Sequence, residues 1–407
     1  MSTGTASEDV RAPLIGRSVA RYTLILGSLS AFAPLSIDMY LPSLPSMTSD
    51  LHSTDSTIQL TLSAFIIGLA IGQIVIGPLS DSLGRRKPLL VGLVLYAVGS
   101  VLCAVSPSSE LLITARFVQA IGAAAGIVIA RAAVRDLFSG TAMTKFFSLL
   151  MLVNGVAPVL APVIGAQLLR LTSWRGVFVV LTVVGVLLLA TVALALPESL
   201  PAEQRTRSRI SDTLRTYAGL FADRMFLGYA LAAGLSFAAM FAYISGSSFV
   251  LQGVYGLNPQ WFSVVFGING LGIVAVGQLN SKLIDHFTER TLLTVGLVAT
   301  AAGGVGVLLA ATLDLGLIAL LVPLFVLVGS IGMVSPNSTS LAMAEHAKSA
   351  GSASALLGVL QFAFGAIASP LVGVGGASGA AIPMAVVMAG FGVASLGAYL
   401  TLARKAA

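Results

Sequence analysis

Twelve apolar runs of span length follow one another along the chain, at 22–44, 58–80, 88–106, 110–132, 143–169, 175–196, 226–251, 261–284, 291–312, 316–342, 349–373 and 381–403. A helix needs roughly 20 apolar residues to cross a hydrocarbon core about 30 Å thick, so each run has the length of a membrane span. Only 9% of the residues are charged, against about 25% in a soluble protein. The expected fold is an all-α membrane protein with 12 transmembrane helices. Cys103 is the one cysteine, so no internal disulfide is possible. Residues 1–21 are polar and carry Arg11, Arg17 and Arg21. They are read as a cytoplasmic segment before an uncleaved first span.

The cations fix an orientation. With the N-terminus inside, 19 of the 22 Lys and Arg residues fall on inner segments. Arg170 and Arg175 fall outside, and Arg116 lies within a span. This is a strong positive-inside bias, and it puts both termini in the cytoplasm. A net charge of +6 therefore reflects loop anchoring rather than nucleic-acid binding, because no basic helix is interleaved with aromatics. Localisation is expected in a bacterial cytoplasmic membrane.

Pro197 to Arg224 is polar, holds five arginines and divides the spans six and six. The expected units are a bundle at 22–196, a cytoplasmic linker at 197–225 and a second bundle at 226–407. A shift of 200 residues sets Gly72, Gly77, Leu79 and Leu83 onto Gly272, Gly277, Leu279 and Leu283. That match suggests two pseudo-symmetric six-helix bundles with a site between them.

Between the second and third runs lies Gly-x-Leu-x-Asp-x-x-Gly-Arg-Arg-Lys, with Gly77, Asp81, Gly84, Arg85, Arg86 and Lys87. Gly77 lets another helix approach closely, and Asp81 is placed to accept N–H groups at a neighbouring helix start. An ordinary positive-inside loop explains the cations but not their order with the glycines and the acid. This pattern resembles the major facilitator superfamily. Leu112, Arg116, Gln119 and Gly122 look like that family's fourth-span motif, with Ala120 where glycine is common. The stretch from Asn154 to Gly165 is similar to the fifth-span antiporter motif. SIDMYLPSLP (36–45) and FAYISGSSFVLQ (241–252) look like the Bcr/CflA multidrug exporters. The resemblance covers nearly the whole chain.

Read without the family, Asn154, Ala157, Pro158, Ala161, Pro162 and Gly165 share one helix face. Five of the six are small or proline, so the face admits close packing and a bend. A tight interface without further consequence is the plain alternative. The resemblance implies a flexible seam that seals the pathway on one side.

Asp38 is the one acidic residue well inside a span. Intramembrane carboxylates are costly and normally face a cavity or partner, and their protonation is tunable. The competing reading is that Pro42 ends the helix and leaves Asp38 interfacial. Arg116 is the sole intramembrane cation. Six residues separate it from Glu110, and six separate Asp38 from Leu44, which puts both about 9 Å below the outer surface. An Asp38–Arg116 ion pair for proton coupling is expected; a purely structural bridge, or bonds from Arg116 to backbone carbonyls, is the alternative.

Candidate substrate residues are Tyr40, Gln119, Asn154, Phe241, Tyr243, Asn269 and Gln361, within a wider group of aromatics that suits a moderately apolar, weakly charged ligand. No Walker motif and no metal constellation is present in the sequence, so neither cofactor nor metal is expected, and the resemblance implies the proton gradient as the energy source. The resemblance implies a secondary active transporter rather than an enzyme: a proton-coupled antiporter exporting small amphipathic compounds such as bicyclomycin or amphenicols. Export of a metabolite such as cysteine, uptake symport of a sugar or organic acid, and a non-transporting sensor are the alternatives. Expected partners are the small drug or metabolite and the lipid bilayer, with no obligate protein partner.

Overall fold

The computed structural model describes residues 16–138, 140–205, 217–344, 350–373 and 381–403. Among them every regular element is helical, and twelve helices have the length and composition to cross a membrane. They are, as spans one to twelve, Arg21–Asp50, Asp55–Leu83, Arg86–Ala104, Ser109–Leu137, Lys145–Leu168, Trp174–Ala195, Arg224–Val254, Pro259–Leu283, Glu289–Thr312, Leu317–Met343, Ala353–Val372 and Ala381–Ala403.

Span one differs most from expectation. It runs on to Asp50 but breaks before its end: the α-helix Gly16–Asp38 stops, Leu41–Ser43 forms a tight turn, and a short helix resumes at Leu44–Asp50. The cause is local. Pro42 has no N–H for the Asp38 carbonyl four residues back, and its ring crowds that carbonyl. Pro45 is tolerated because it falls in the first turn of the new helix.

Elsewhere the boundaries follow caps. Thr54 accepts from the Thr57 N–H at 3.2 Å, Asn258 from Trp261 N–H at 2.9 Å and Thr288 from Thr291 N–H at 3.2 Å, starting spans two, eight and nine. Gly84 stops span two with φ +89°, a left-handed conformation that favours glycine. Span four continues to Leu137, five residues past the expected end, and so carries Arg135 as well as Arg131 on helix.

The helices pack by a repeated scheme. Span four lies against two and three, three against six, and one against five; correspondingly, ten lies against eight and nine, nine against twelve, and seven against eleven. Gly72 and Gly272, matched by the 200-residue shift, sit at equivalent contacts: a Cβ would meet Ala124 in the first case and Phe325 in the second. Between the two sets of six, span two meets eleven, five meets eight, and the break in span one meets seven and eight. Span six turns Val183, Leu187 and Leu194 outward, the apolar face a lipid-facing helix presents. Part of the expected linker (206–216) and residues 1–15 of the N-terminal segment lie outside the described residues.

Candidate functional site

A cavity of about 980 Å³ lies between the two sets of helices. Asp81, Arg85, Arg131, Arg135 and Asp136 line its mouth, and Asp38 lines its depth. At the far end the sets are stitched together by side chains donating to backbone carbonyls. Among the described residues these bonds run from Gln59 to Ser245, Ser63 to Ala366, Ser369 to Gln59, Ser248 to Leu41, Gln252 to Pro42, Gln260 to Ala166 and Ser263 to Pro162. Several acceptors are helix carbonyls with no ordinary partner. Ala366 stands four residues before Pro370, and Ala166 belongs to the last turn of span five. The cavity is thus open at one end and sealed at the other.

Asp38 is the last residue of the first helix, 4% exposed, and its carboxylate makes no hydrogen bond or ion pair with any described residue. The helix does end early, as the competing reading required, yet Asp38 lies within the span and faces the cavity.

The expected Asp38–Arg116 ion pair is not formed. Arg116, fully buried, donates to the Ser36 carbonyl at 2.9 Å and to Gln119 Oε1 at 2.6 Å. Its guanidinium also lies over Phe65 and Tyr40, with the carbon 4.1 and 4.5 Å from the ring centroids. The physical reason is the break: it leaves last-turn carbonyls exposed at the negative end of a helix dipole, and the guanidinium caps that of Ser36.

The candidate substrate residues divide. Asn154, Phe241, Tyr243 and Gln361 line the cavity. Tyr40 and Gln119 do not: Tyr40 packs on Phe178 and bonds Thr61 at 2.9 Å, while Gln119 joins Arg116 to Ser100. Asn269 stands one layer back and donates to the Tyr243 hydroxyl at 3.0 Å. Phe237, Phe266 and Phe362 complete an aromatic wall with Phe241 and Tyr243, all from the second set of helices.

The loop motif also differs in detail. Gly77 is not a close contact, because a Cβ there would meet nothing within 4 Å; the open mouth leaves no helix against it. The close approach to span four belongs to Gly68 and Gly72. Asp81 pairs with Arg85, and Arg85 Nε also reaches Asp136 at 2.9 Å. The acceptor of helix-start N–H groups is Glu198, which takes those of Arg85 at 2.7 Å and Arg86 at 3.2 Å at the start of span three. Burial pushes the Glu198 carboxyl up, but bonds from the Leu200, Arg85 and Arg86 N–H groups and the charge of Arg205 outweigh it and hold it below the usual range. A Cβ on Gly84 would strike that carboxylate. Arg86 donates to the Ala193 carbonyl near the end of span six. Nothing in the sequence distinguishes Asp136 and Glu198, since an acid at a span end reads as an ordinary loop charge.

On span five, Asn154 donates to Ser30 Oγ at 2.8 Å, Pro158 lines the cavity, the Pro162 carbonyl accepts from Ser263, and a Cβ on Gly165 would overlap the Met39 carbonyl. The small-and-proline face is the surface that seats span five between the broken span and span eight.

Residues 26–370 match the family model described as Major Facilitator Superfamily. The chain belongs to that superfamily. A Bacillus subtilis (strain 168) protein described as "Uncharacterized MFS-type transporter YdgK" is 44% identical over 92% of this chain and 93% of its own length. A Haemophilus influenzae "Bicyclomycin resistance protein homolog" is 33% identical over 88% and 89%. The crystal structure of the nucleoside transporter NupG superposes with a TM-score of 0.78 at 14% identity, covering 95% of this chain and 99% of that one, a likeness of fold. The protein is a multi-pass membrane transporter that moves small solutes by secondary active transport, with relatives among drug-resistance proteins.

Proposed function

We propose that this transporter is a proton-coupled antiporter that exports small amphipathic compounds by alternating access, in the Bcr/CflA group. Bicyclomycin- and amphenicol-like antibiotics are the compound classes to test first. The observation that carries this reading is the Asp38 carboxylate, buried and without a cation partner in a cavity open at one end only. An unpaired intramembrane acid is a proton site before it is a structural one. The aromatic wall opposite suits a moderately apolar ligand. With the positive-inside bias, the mouth at Asp81 and Arg85 faces the cytoplasm, both termini lie there, and the state described is inward-facing in a bacterial cytoplasmic membrane.

In the cycle, solute entering from the cytoplasm favours release of the Asp38 proton, and the two bundles rock against each other to open outward. Protonation from outside then favours return. Arg116 supports Asp38 indirectly, by holding the end of the helix on which it stands. The test is proton flux in energised inverted vesicles. Drug added to vesicles bearing the normal protein should drive protons out of the lumen, and Asp38→Asn should abolish that efflux. Efflux of undiminished size in the variant overturns the assignment.

A further inference from the structure

We propose that Ser248 and Gln252 are positioning residues: they form a clasp that holds the broken segment of span one and sets how readily the sealed end opens. The inference rests on the alternating-access reading. Two sequence signatures singled out separately, 36–45 and 241–252, meet here. Ser248 Oγ donates to the Leu41 carbonyl at 2.6 Å, and Gln252 Nε2 donates to the Pro42 carbonyl at 3.1 Å and to Ser248 Oγ at 2.7 Å.

Each donor is used once. The Gln252 amide spends one N–H on Pro42 and the other on Ser248, which frees the Ser248 proton for Leu41. The Leu41 carbonyl takes the Leu44 N–H, and Ser248 fills its second acceptor position, because residue 45, four positions on, is a proline without an N–H. Ser248 and Leu41 are fully buried and Pro42 is buried beside them. No water replaces a bond lost in so buried a place, so these bonds matter more than they would in water.

The placement separates this clasp from the rest of the seal. Leu41 and Pro42 lie three and four residues beyond Asp38, in the turn that ends its helix. The donors lie five and nine residues beyond Tyr243, on the cavity wall opposite. Gln252 stands where span seven widens into a π-turn over Phe249–Val254, a backbone irregularity frequent at functional sites. Two irregular segments, one from each set of helices, are thus joined side chain to backbone. By contrast, Ser263 at the same end also bonds Pro259 within its own helix at 2.8 Å, so its inter-set bond is partly redundant.

The experiment is a distance measurement between spin labels on the sealed end, at Leu171→Cys and Leu313→Cys, both on exposed turns. Cys103 is buried and stays unlabelled. The labelled, otherwise normal protein in lipid nanodiscs should show a dominant short distance and a minor long one, exchanging weight with pH. Gln252→Leu should raise the ratio of long to short about ten-fold and Ser248→Ala about five-fold, the effect of losing one or two net hydrogen bonds. Ser263→Ala should change it less than two-fold. Equal populations in Gln252→Leu, Ser248→Ala and the parent overturn the clasp, as does a shift of the same size in Ser263→Ala. A parent that holds a single distance at every pH overturns the alternating-access reading beneath it. Circular dichroism and monodispersity identify a misfolded variant, and Ser248→Ala, which removes only one oxygen, remains as the decisive case.

Discussion

The guanidinium of Arg116 donates to the main-chain carbonyl of Ser36 at 2.9 Å, so this fully buried cation serves a broken helix rather than a carboxylate. Arg116→Met keeps bulk but leaves the Ser36 carbonyl and Gln119 Oε1 without their donor. Each lost bond to a charged group is worth about 1.5–3 kcal/mol, offset by relief from burying a charge. The net expectation is a loss of about 2 kcal/mol, read as a fall of a few degrees in thermal unfolding of the purified protein. Arg116→Lys should not restore it, because an ammonium lacks the fork that reaches Ser36 and Gln119 together. A lysine variant as stable as the parent would contradict the capping role.

What the sequence could and could not reveal follows from which interactions are local. The twelve spans, the proline that ends the first helix at Asp38 and the small face of span five are properties of neighbouring residues, and apolar periodicity or proline stereochemistry exposes them. The repeated packing scheme was visible as a faint match, since Gly72 and Gly272 are kept by the same close approach. For Arg116 the alternative of bonds to backbone carbonyls is the one formed, because depth counted along two helices ignores the direction in which each side chain points. Residue type alone suggests a cavity role for Tyr40 and Gln119, whereas both face the packed interior around Arg116. Glu198 was overlooked because its bonds span 113 and 112 residues of sequence.

Glu198 gives a prediction with a defined sign. Its carboxyl is held below the usual value of about 4.5 in the folded protein, so its contribution is fully present above the unfolded value and is lost as pH falls through the folded one. Glu198→Gln places an amide NH2 against one of the two N–H groups that start span three. The parent should therefore unfold at higher temperature than the variant at pH 7, and the gap should close progressively below about pH 4.5. A gap that persists unchanged at pH 3 would contradict the carboxylate's role.

Span five offers a paired comparison. A Cβ at Gly165 overlaps the Met39 carbonyl, which belongs to the backbone break and has no flexible end to yield, while at Gly155 the nearest atom is a Val274 methyl at 3.8 Å. Gly165→Ala should cost about 2 kcal/mol or more through overpacking and remove transport. Gly155→Ala should be neutral or slightly stabilising, since alanine favours helix by about 1 kcal/mol. Thermal unfolding and vesicle flux measured on both variants check the contrast, and equal behaviour would place the tight seat elsewhere on span five.

Gly77 separates stability from transport. In the state described its position faces the open mouth, and a Cβ there meets nothing within 4 Å. Gly77→Ala should leave the unfolding temperature unchanged or raise it slightly through helix propensity. If the mouth closes during the cycle, a helix of the second set must pack where Gly77 now faces open space, and the added methyl then obstructs that approach. The expected result is a folded, monodisperse protein whose drug flux falls about ten-fold, the effect of a closed state raised by roughly 1.4 kcal/mol. Spin labels across the mouth should show the closed distance depleted in the variant. Full flux with unchanged mouth distances would mean that no helix packs against Gly77 at any point in the cycle, and the motif glycine would then be a feature of the loop alone.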